Sequence, residues 1–442
     1  HAVRYLTRDL GTNLREYERK ESSAYDKDLA LIPEDVLGFI KDTQPEVYTA
    51  LTENKDPEVV DRQLLTFISS EVEKHNTLEV LREPRRYLGQ RIRMAYFKPN
   101  HDRSPEHLEN YGKNRLTVVR QLKYSKRNEN SIDVVLFVNG LPVVTIELKN
   151  SLTGQYTEHA IKQYIADRDP KEKLLEFERC LVHFALGTDK VSMCTKLDGK
   201  NTFFLPFNKA LVNENPDGFA TSYLWEDVLT KDSLMDLLQS YINPQEDKEK
   251  VFDPKLHGLK EVKKRKLLFP RYHQRRAVKG LLEAVRKDGV GRKYLVYHSA
   301  GSGKSNTIAW LAHRLSEFFR QPSDDNALFS SVIVVTDRKV LDKQIQDNIK
   351  AFDNSPGAVA YIGPNKTSQD LKEAIESRKR VIVTTLQKFP IISEVVSQNP
   401  DRTYAVIIDE AHSSQSGEAA RHLRKALSLD EAEEKDVREK DL

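Results

Sequence analysis

Cysteine is scarce in this sequence, and the scarcity excludes two structural roles. Cys180 and Cys194 are the only two among 442 residues. Two thiols are too few for a structural zinc site, and they do not suggest a disulfide framework. We therefore expect both to be reduced thiols buried in a hydrophobic core, where free cysteine is commonly found.

Long apolar runs are also lacking. No stretch reaches the about 18 consecutive apolar residues that indicate a transmembrane helix, and the N-terminus shows no signal-peptide pattern. We therefore expect a cytoplasmic protein that makes no membrane contact. The chain begins with His1 rather than Met, so we expect a piece of a longer protein.

An excess of charge of one sign is missing as well. The net charge is only +3, although charged residues make up 31% of the chain and hydrophobic residues 38%. Composition alone therefore does not indicate nucleic-acid binding, and any such site must be a local patch. The length of 442 residues predicts two or three domains.

The first half of the chain contains helical and extended patterns in turn. Residues 1–112 are mostly helical in periodicity, with Pro33 at a helix start. Residues 115–149 change to a period of two, which predicts three strands. Residues 157–167 and 222–242 return to helical spacing.

The second half predicts alternating strands and helices. Residues 243–266 contain prolines and the run "KEVKKRK" but few large apolar groups, which predicts a linker. We place a boundary near residue 250, between domains 1–250 and 251–442. Beyond it, "KYLVYH", "SVIVVT", "RVIVTT" and "YAVIIDE" are short apolar runs typical of strands buried on both faces. They predict a doubly wound parallel sheet and an α/β fold.

The stretch "DVVLFVNGLPVVTIELKN", residues 133–150, predicts an apolar hairpin with ionisable groups at one end. Side chains alternate along a strand, so Glu147 and Lys149 share one face. If Asp133 reaches that face, two acids and a lysine converge, as a hard cation such as Mg²⁺ requires. The alternative is a structural ion pair, because Glu-x-Lys recurs by chance in a charge-rich chain.

The turn of this hairpin decides whether Asp133 reaches that face. A two-residue Asn139-Gly140 turn would place Asp133 opposite Ile146, on the wrong face. A turn that also uses Leu141 would pair Asp133 with the glutamate, and Asn-Gly suits both turns because both need positive φ. We therefore predict the longer turn, with a bulge.

A second motif, "YHSAGSGKSNTIAWLAHRL", follows a predicted strand and enters a helix. Gly301, Gly303, Lys304 and Ser305 match the end of a Walker A loop, which wraps backbone N–H groups around phosphates. Lys304 is expected to meet the β- and γ-phosphates, and Ser305 to hold Mg²⁺. His298 stands where the usual first glycine is expected.

A later strand ends in Asp409-Glu410-Ala411-His412. An acid at the end of a buried parallel strand is typical of a Walker B carboxylate. We expect Asp409 to hold Mg²⁺ and Glu410 to orient the attacking water. The alternative is a solvated strand end, which the upstream phosphate loop disfavours.

The spacing of these motor motifs resembles the first lobe of superfamily-two helicases and translocases. In "FPRYHQRRAV", the resemblance implies that Gln274 reads the adenine of ATP. The segments "VVTDRKVLDKQI" and "VTTLQKF" match DNA-backbone segments of that family. The residues implicated there are Thr336, Arg338, Thr384 and Thr385, with ordinary strand-end residues as the alternative.

Taken whole, the chain resembles the motor (R) subunit of type I restriction endonucleases, through "IDVVLFVNGLPVVTIELKN", "FFLPFNK", "YLWEDVL" and the motor motifs. The resemblance implies a PD-(D/E)xK nuclease-type α/β domain over 1–250 and a RecA-like lobe over 251–442. It implies Asp133 and Glu147 as metal ligands and Lys149 as the catalytic lysine. Gln163 matches the glutamine of a Gln-x-x-x-Tyr pair, but Asp167 replaces the tyrosine and Tyr164 lies on another helical face.

The function implied by this resemblance is that of a type I site-specific deoxyribonuclease. It would hydrolyse ATP to translocate double-stranded DNA and would cut it with Mg²⁺, together with methyltransferase and specificity subunits. One alternative is a repair-type helicase-nuclease that works without a methyltransferase. Another is a DNA-binding scaffold with inactive centres. A complete motor needs a second lobe with an arginine finger, which we do not find in this sequence.

Overall fold

A computed structural model describes the protein at residues 1–8, 16–216, 218–253, 258–299, 301–336, 339–352, 357–363, 366–388, 391–392, 394–395, 398–399 and 401–409. The chain forms two compact units. The first comprises residues 1–99 and 104–269, and the second comprises residues 100–103 and the chain from Pro270 onwards. Both units combine helices with sheets, which confirms the predicted α/β class.

The boundary between the units lies at Phe269 and Pro270 instead of near residue 250. The predicted linker is wrong, because its described residues, 243–253 and 258–266, lie in the two strands of an antiparallel ribbon. The Thr195 hydroxyl donates to the carbonyl of Leu267 at 2.9 Å, which joins the base of the ribbon to the first unit. The two strands of the ribbon are held together by backbone hydrogen bonds. The charged side chains of the segment therefore gave no sign of the pairing, and their composition was typical of a linker.

The helices of the first unit, within its described residues, are α1 (Ala2–Leu6), α2 (Pro33–Thr43), α3 (Pro45–Thr52), α4 (Pro57–His75), α5 (Thr77–Arg82), α6 (Pro105–Gly112), α7 (Thr157–Ala166) and α8 (Lys231–Asp236). Proline opens α2, α3, α4 and α6, where its missing N–H costs no hydrogen bond. The predicted start at Pro33 is confirmed. No helix in the described part of the chain is both long and apolar enough to span a membrane.

Residues 222–242 do not form the single helix that was predicted. Helix α8 is preceded by a π-helical turn at Leu224–Val228 and followed by another at Leu237–Tyr241. Thr230 separates α8 from the first of these turns, because its backbone is extended, with ψ of 156°. Helical periodicity therefore predicted the type of structure here but not its interruption.

The strands of the first unit are β1 (Glu18–Lys20), β2 (Arg85–Tyr87), β3 (Gln90–Ile92), β4 (Leu116–Lys123), β5 (Ser131–Val138), β6 (Leu141–Leu148), β7 (Val182–Leu186), β8 (Val191–Cys194), β9 (Leu205–Pro206), β10 (Asn243–Asp253) and β11 (Gly258–Leu268). Seven of them form one sheet in the order β1-β4-β5-β6-β7-β8-β9. β6 and β7 are parallel, and α7 connects them. The three strands predicted within residues 115–149 are confirmed as β4, β5 and β6.

Contacts between distant parts of the chain complete the first unit. The buried Tyr17 hydroxyl donates to the carbonyl of Leu229 at 2.7 Å, across 212 residues of sequence. The Arg82 guanidinium donates to the carbonyls of Leu238 and Ile242, each at 2.7 Å. Each contact ties the N-terminal part of the unit to its C-terminal part.

The β5–β6 hairpin turns through Asn139 and Gly140 alone, so the predicted longer turn is wrong. Both residues have positive φ, 49° and 81°, as a tight hairpin turn of this kind requires. Asn139 can adopt this conformation because its side chain is fully hydrogen-bonded. Its Oδ1 accepts from the Arg115 N–H at 2.7 Å, and its Nδ2 donates to the Met94 carbonyl at 2.8 Å.

A β-bulge follows this turn, as predicted. Phe137 is paired with Pro142, whereas Leu136 is paired with Val144, which leaves Val143 as the extra residue. The bulge compensates for the shorter turn by shifting the register of all later pairs by one residue.

The shifted register pairs Val134 with Ile146. One step further along the two strands, Asp133 therefore lies beside Glu147. The predicted pairing of the two acids is confirmed, although the route to it, a short turn plus a bulge, differs from the predicted turn.

The turn is also packed against the start of α2. Gly140 accepts a hydrogen bond from the Ile32 N–H at 2.9 Å. A Cβ at Gly140 would lie 2.6 Å from the Ile32 carbonyl oxygen and 2.6 Å from the Val36 Cγ2. Only glycine fits here, because both the positive φ and the close approach exclude a side chain.

A small polar network is buried behind the hairpin. Thr145 Oγ1 lies 2.7 Å from His183 Nδ1 and 2.8 Å from the Tyr164 hydroxyl. All three residues are buried. Burial lowers the pKa of His183 to about 3, so the imidazole is neutral in the folded protein.

The second unit contains α9 (Tyr272–Asp288), α10 (Lys304–Ser316), α11 (Lys339–Ala351) and α12 (Ser368–Glu376), with strands β12 (Ser331–Thr336), β13 (Val359–Ile362), β14 (Val381–Thr385) and β15 (Tyr404–Ile408). All pairings in its four-stranded sheet are parallel, in the order β13-β14-β12-β15. The predicted parallel sheet and three of its predicted strands are therefore confirmed.

The segment "KYLVYH" does not form the predicted strand. Residues 293–298 have no regular structure, and Leu295 and Tyr297 are 71% and 78% exposed. β15 is an edge strand among the described strands, and this segment does not pair with it. Apolar β-branched and aromatic residues favour a strand only when a ladder partner is in place, which a local pattern cannot guarantee.

The packing of Gly140 leads to a testable difference between two glycines. Gly140→Ala should lower the free energy of unfolding of the first unit by at least about 2 kcal/mol, from the strained φ plus the clash. Gly89→Ala is the matched control, because Gly89 has a similar φ of 84° but nothing within 4 Å of its Cβ position. Urea unfolding can be followed through Trp225 in a Trp310→Phe background, which leaves one tryptophan in the first unit. Equal losses in the two variants would contradict the packing argument.

The neutral His183 makes the stability of the first unit sensitive to acid. Its folded pKa of about 3 lies below the unfolded value of about 6.5, so the unfolded chain binds more protons between these two pH values. Its contribution to stability is complete above pH 6.5 and falls by up to about 1.4 kcal/mol per pH unit below it. Between pH 7 and 5, His183→Gln should therefore lose less stability than the wild type in the same fluorescence assay. His159→Gln, at an exposed position, should behave as the wild type does.

Candidate functional site

The registers of the first unit place three polar residues in one row across adjacent strands. Gln121 on β4, Asp133 on β5 and Glu147 on β6 lie side by side. Asp133 Oδ1 accepts from Gln121 Nε2 at 2.7 Å, and its Oδ2 accepts from the Leu148 N–H at 2.7 Å. Both oxygens of the carboxylate are therefore fixed in direction.

Glu147 is completely buried, and Arg168 balances its charge. Arg168 lies just beyond the end of α7 and is 5% exposed. Its Nε and Nη2 both lie 2.7 Å from Glu147 Oε1, and Nη2 also donates to the Ser131 carbonyl at 2.8 Å. This contact provides the counter-charge that a carboxylate in a dry site needs.

The other oxygen of Glu147 suits a cation. Oε2 is buried without a hydrogen-bond partner. Burial raises the pKa of Glu147 to about 8; the Arg168 guanidinium opposes this rise, and the Asp133 carboxylate adds to it. An unpartnered carboxylate oxygen beside a second carboxylate is a donor set that fits a hard divalent ion.

Asp133 and Glu147 could thus hold such an ion. The described residues contain no group of three or more His, Cys, Asp or Glu side chains arranged to bind a metal. Two carboxylates are nevertheless a usual protein contribution for Mg²⁺, which keeps several water ligands.

Lys149 follows β6 on the same side of the chain as Glu147 and is half-buried. Its ammonium group donates to Gln163 Oε1 on α7 at 2.5 Å, and its backbone N–H donates to the Leu186 carbonyl at 2.9 Å. Gln163 therefore holds the lysine. The structure brings together these two residues, which the sequence had proposed as part of one site.

Tyr164 and Asp167, which both follow Gln163 on or near α7, differ in their surroundings. Tyr164 is buried and contacts Thr145, so it does not replace the missing tyrosine. Asp167 is exposed at the end of α7, where the tyrosine was expected.

A cleft of about 600 Å³ opens at this point. It lies over Gln121 and Asp133 of the row and is bounded by the end of α7 and the start of β5. Its lining residues are Gln121, Glu129, Asn130, Ser131, Asp133, Gln163, Ala166, Asp167 and Arg168. The cleft gives a large polar ligand access to the Asp133 carboxylate.

Sequence reasoning missed Gln121 and Arg168. Gln121 becomes visible only when the register of β4 against β5 is known. Arg168 lies five residues after Gln163, close to the end of a predicted helix, and nothing in that position distinguishes it from a surface arginine.

The described residues of the predicted phosphate loop lie at the start of α10 in the second unit. Gly301 and Gly303 have positive φ, 75° and 83°, and Gly303 is the N-cap of the helix that Lys304 and Ser305 begin. No side chain caps α10. A helix N-terminus of this kind can receive an anion through its backbone N–H groups.

Gln274 supports this loop. Its Nε2 donates to the carbonyls of Ser302 and Gly303 at 3.1 and 3.0 Å, and its Oε1 accepts from the Arg271 N–H at 2.8 Å. Gly303 has a φ of 83°, which favours glycine, and a Cβ there would lie 2.4 Å from this Nε2 and displace the amide. The amide therefore links the start of α9 to the loop, and its contact with adenine stays a prediction.

Asp409 directly follows β15. It is buried, and its backbone N–H donates to the Val335 carbonyl of β12 at 2.9 Å. This places it at the carboxyl end of the parallel sheet, where ligands bind in open α/β folds. Glu410 lies outside the described residues.

The three threonines that were proposed to contact the DNA backbone are buried in the sheet. Thr336, Thr384 and Thr385 are buried at the ends of β12 and β14, and the first two have their hydroxyls within 3.5 Å of sheet carbonyls. This placement favours the alternative, ordinary strand-end residues. Arg338 lies outside the described residues.

Comparison with known protein families gives two matches. The family model described as type I restriction enzyme R protein N terminus matches residues 31–202, which include the row in the first unit. The model described as SWI2/SNF2 ATPase matches residues 273–431, which include residues 301–305 and Asp409.

Curated relatives of this chain are named as endonuclease subunits of type I restriction enzymes. The type I restriction enzyme HindI endonuclease subunit of Haemophilus influenzae is 28% identical over 344 residues, which is 72% of this chain and 31% of that protein. The type I restriction enzyme SauMSSORF170P endonuclease subunit of Staphylococcus aureus is 25% identical over 315 residues, 70% of this chain and 30% of its own length. The chain thus spans about a third of the length of these relatives.

Among solved structures, the UvsW helicase from bacteriophage T4 is similar at 17% identity over 37% of this chain and 50% of that chain. The TM-score is 0.26, a similarity too low to support a structural conclusion.

The buried contact between Glu147 and Arg168 can be measured by a double-mutant cycle. We expect Glu147→Gln and Arg168→Met to show an interaction free energy of about 1–3 kcal/mol in urea unfolding without divalent ions, because each partner alone is left unbalanced in a dry site. The control is the exposed pair Arg127–Asp169, in which Arg127→Met and Asp169→Asn should be close to additive. Additivity at both pairs would show that the buried pair does not stabilise the hairpin end.

Proposed function

Because the chain belongs to the R proteins of type I restriction enzymes and carries a SWI2/SNF2-type ATPase domain, we propose that it cuts double-stranded DNA in a Mg²⁺-dependent reaction. We also propose that its second unit couples ATP hydrolysis to translocation along DNA. The observation that carries the nuclease part is the pairing of Asp133 with Glu147 beside an open cleft, which is also lined by the Gln163 that holds Lys149.

In the nuclease centre, Asp133 and Glu147 would hold Mg²⁺, with the unpartnered Oε2 of Glu147 as the donor that the structure leaves available. A bound Mg²⁺ supplies a Lewis acid for the scissile phosphate and lowers the pKa of a bound water. Lys149 would orient the attacking water or balance charge that develops on the phosphate. Gln163 positions Lys149 by accepting its hydrogen bond.

In the motor, Lys304 would bind the β- and γ-phosphates of ATP, and Ser305 and Asp409 would hold the Mg²⁺ that accompanies them. Glu410 would orient the water that attacks the γ-phosphate. The N-terminus of α10, which no side chain caps, would bind the phosphates through its backbone N–H groups. Gln274 is proposed to read adenine from its position beside the loop.

The partners follow from the relatives, which are named as endonuclease subunits of type I restriction enzymes. We propose that this chain acts in the cytoplasm as the R subunit of such an enzyme. Methyltransferase and specificity subunits would select the DNA target.

In the assembly with these partners, DNA cleavage and ATP hydrolysis should depend on different residues, one set in each unit. Asp133→Ala should lower DNA cleavage by about 100-fold or more, because a metal ligand is lost, while ATP hydrolysis persists. Lys304→Ala should stop ATP hydrolysis and translocation. Cleavage of circular DNA and phosphate release, measured on the same preparations, test both expectations.

Asp169→Ala provides a control, since this exposed carboxylate follows Arg168 in the sequence but does not contact the two acids. It should cut DNA at the wild-type rate. Cleavage by Asp133→Ala at the wild-type rate would exclude the assigned nuclease centre.

A further inference from the structure

Gln121 has a backbone conformation that strands do not normally contain. Its φ is 48°, although β4 is paired with β5 on both sides of it, Arg120 with Val134 and Leu122 with Ile132. This left-handed region is unfavourable for a residue with a side chain, because Cβ approaches the following carbonyl oxygen. Such conformations persist where surrounding contacts determine them, and they concentrate at functional sites.

The unusual φ changes where the Gln121 side chain lies. Arg120 and Gln121 are both exposed, which breaks the alternation expected of a strand. The Gln121 amide lines the cleft and reaches Asp133, which lies opposite it on the neighbouring strand.

The amide is oriented from both ends. A carboxylate only accepts hydrogen bonds, so the NH₂ group of Gln121 must face Asp133, and it donates to Oδ1 at 2.7 Å. The Ser131 hydroxyl donates to the carbonyl oxygen of the same amide at 2.9 Å. The Ser131 backbone carbonyl in turn accepts from Arg168, so Ser131 supports the groups that contact both acids.

We propose that Gln121 is a positioning residue for metal binding by the nuclease centre. Its left-handed backbone aims the amide at Asp133, and the hydrogen bond holds that carboxylate in one orientation beside Glu147. This inference rests on the proposed nuclease function. Groups that orient a metal ligand in this way typically change metal affinity or activity by about 10–100-fold when they are removed.

Two substitutions separate this role from a purely structural one. Gln121→Gly adopts the positive φ without strain, and Gln121→Asn tolerates it better than most residues do. Neither can make the present hydrogen bond, because glycine has no amide and asparagine is one methylene shorter. A structural role for Gln121 would leave metal affinity unchanged in both variants.

The test measures Mn²⁺ binding by the chain of residues 1–442 without nucleotide, through the electron paramagnetic resonance signal of free Mn²⁺. Gln121→Gly and Gln121→Asn should raise the Kd about 10-fold or more, with a melting temperature within a few degrees of the wild type. Leu88→Gly is the matched control, because Leu88 has φ of 47° in the exposed turn between β2 and β3 and should leave the Kd unchanged. Ser131→Ala should weaken binding less than either Gln121 variant.

The Asp133→Asn variant distinguishes two explanations for unchanged Mn²⁺ binding in the Gln121 variants. If Asp133→Asn weakens Mn²⁺ binding strongly while both Gln121 variants bind as the wild type does, the positioning role is overturned and the nuclease centre stands. If Asp133→Asn also binds normally, the metal site itself is wrong, and the inference falls with it. A fall of many degrees in the melting temperature of both Gln121 variants would likewise overturn the proposal, because it would assign Gln121 to the stability of the sheet.

Discussion

The extra residue in the β5–β6 hairpin, Val143, is the constraint on which the first unit depends. Side chains alternate along a strand, so a shift of one residue moves every later side chain to the opposite face. With a two-residue turn and no bulge, Asp133 would face away from Glu147. With the bulge, the two acids are neighbours, and the cleft, the cation donor set and the contacts from α7 all lie on the same face.

The cost of this arrangement is electrostatic. Glu147 is removed from water, and Asp133 adds a second negative charge next to it, so both effects favour a protonated carboxyl. Arg168 acts in the opposite direction through two contacts to one oxygen. The ammonium of Lys149 is instead directed to the neutral Gln163. The centre therefore contains two cations with different surroundings. Arg168 balances the buried Glu147, whereas Lys149 is held by Gln163, which lines the cleft.

Local patterns in the sequence predicted much of this structure. The alternation in residues 115–149, the proline at Pro33 and the apolar runs of the second unit each depend on near neighbours, and the structure confirms them. Asp133, Glu147 and Lys149 were proposed as one site because they lie on one hairpin, whereas Gln163 was proposed from the family resemblance alone.

The errors share a physical origin in contacts that a local pattern does not contain. The turn length was wrong because Asn-Gly fits two turns, and the packing of Gly140 against α2 involves a distant segment. The strand predicted at "KYLVYH" and the linker predicted at 243–266 both depended on composition, whereas pairing depends on which backbone lies alongside. Arg168 and Gln121 reach the acids through tertiary structure, so neither could be assigned before the registers were known.

The contacts of Tyr17 and Arg82 have a consequence for how the protein is made. A ribosome adds about 5–20 residues per second, so the carbonyl of Leu229 emerges roughly 10–40 s after Tyr17, which lies 212 residues earlier. Throughout that interval the tyrosine, which is buried in the finished protein, cannot donate this hydrogen bond. The hydrogen bond of Tyr17 can therefore form only after residue 229 has been made, whereas β1, which begins one residue after Tyr17, can pair with β4 about 100 residues earlier.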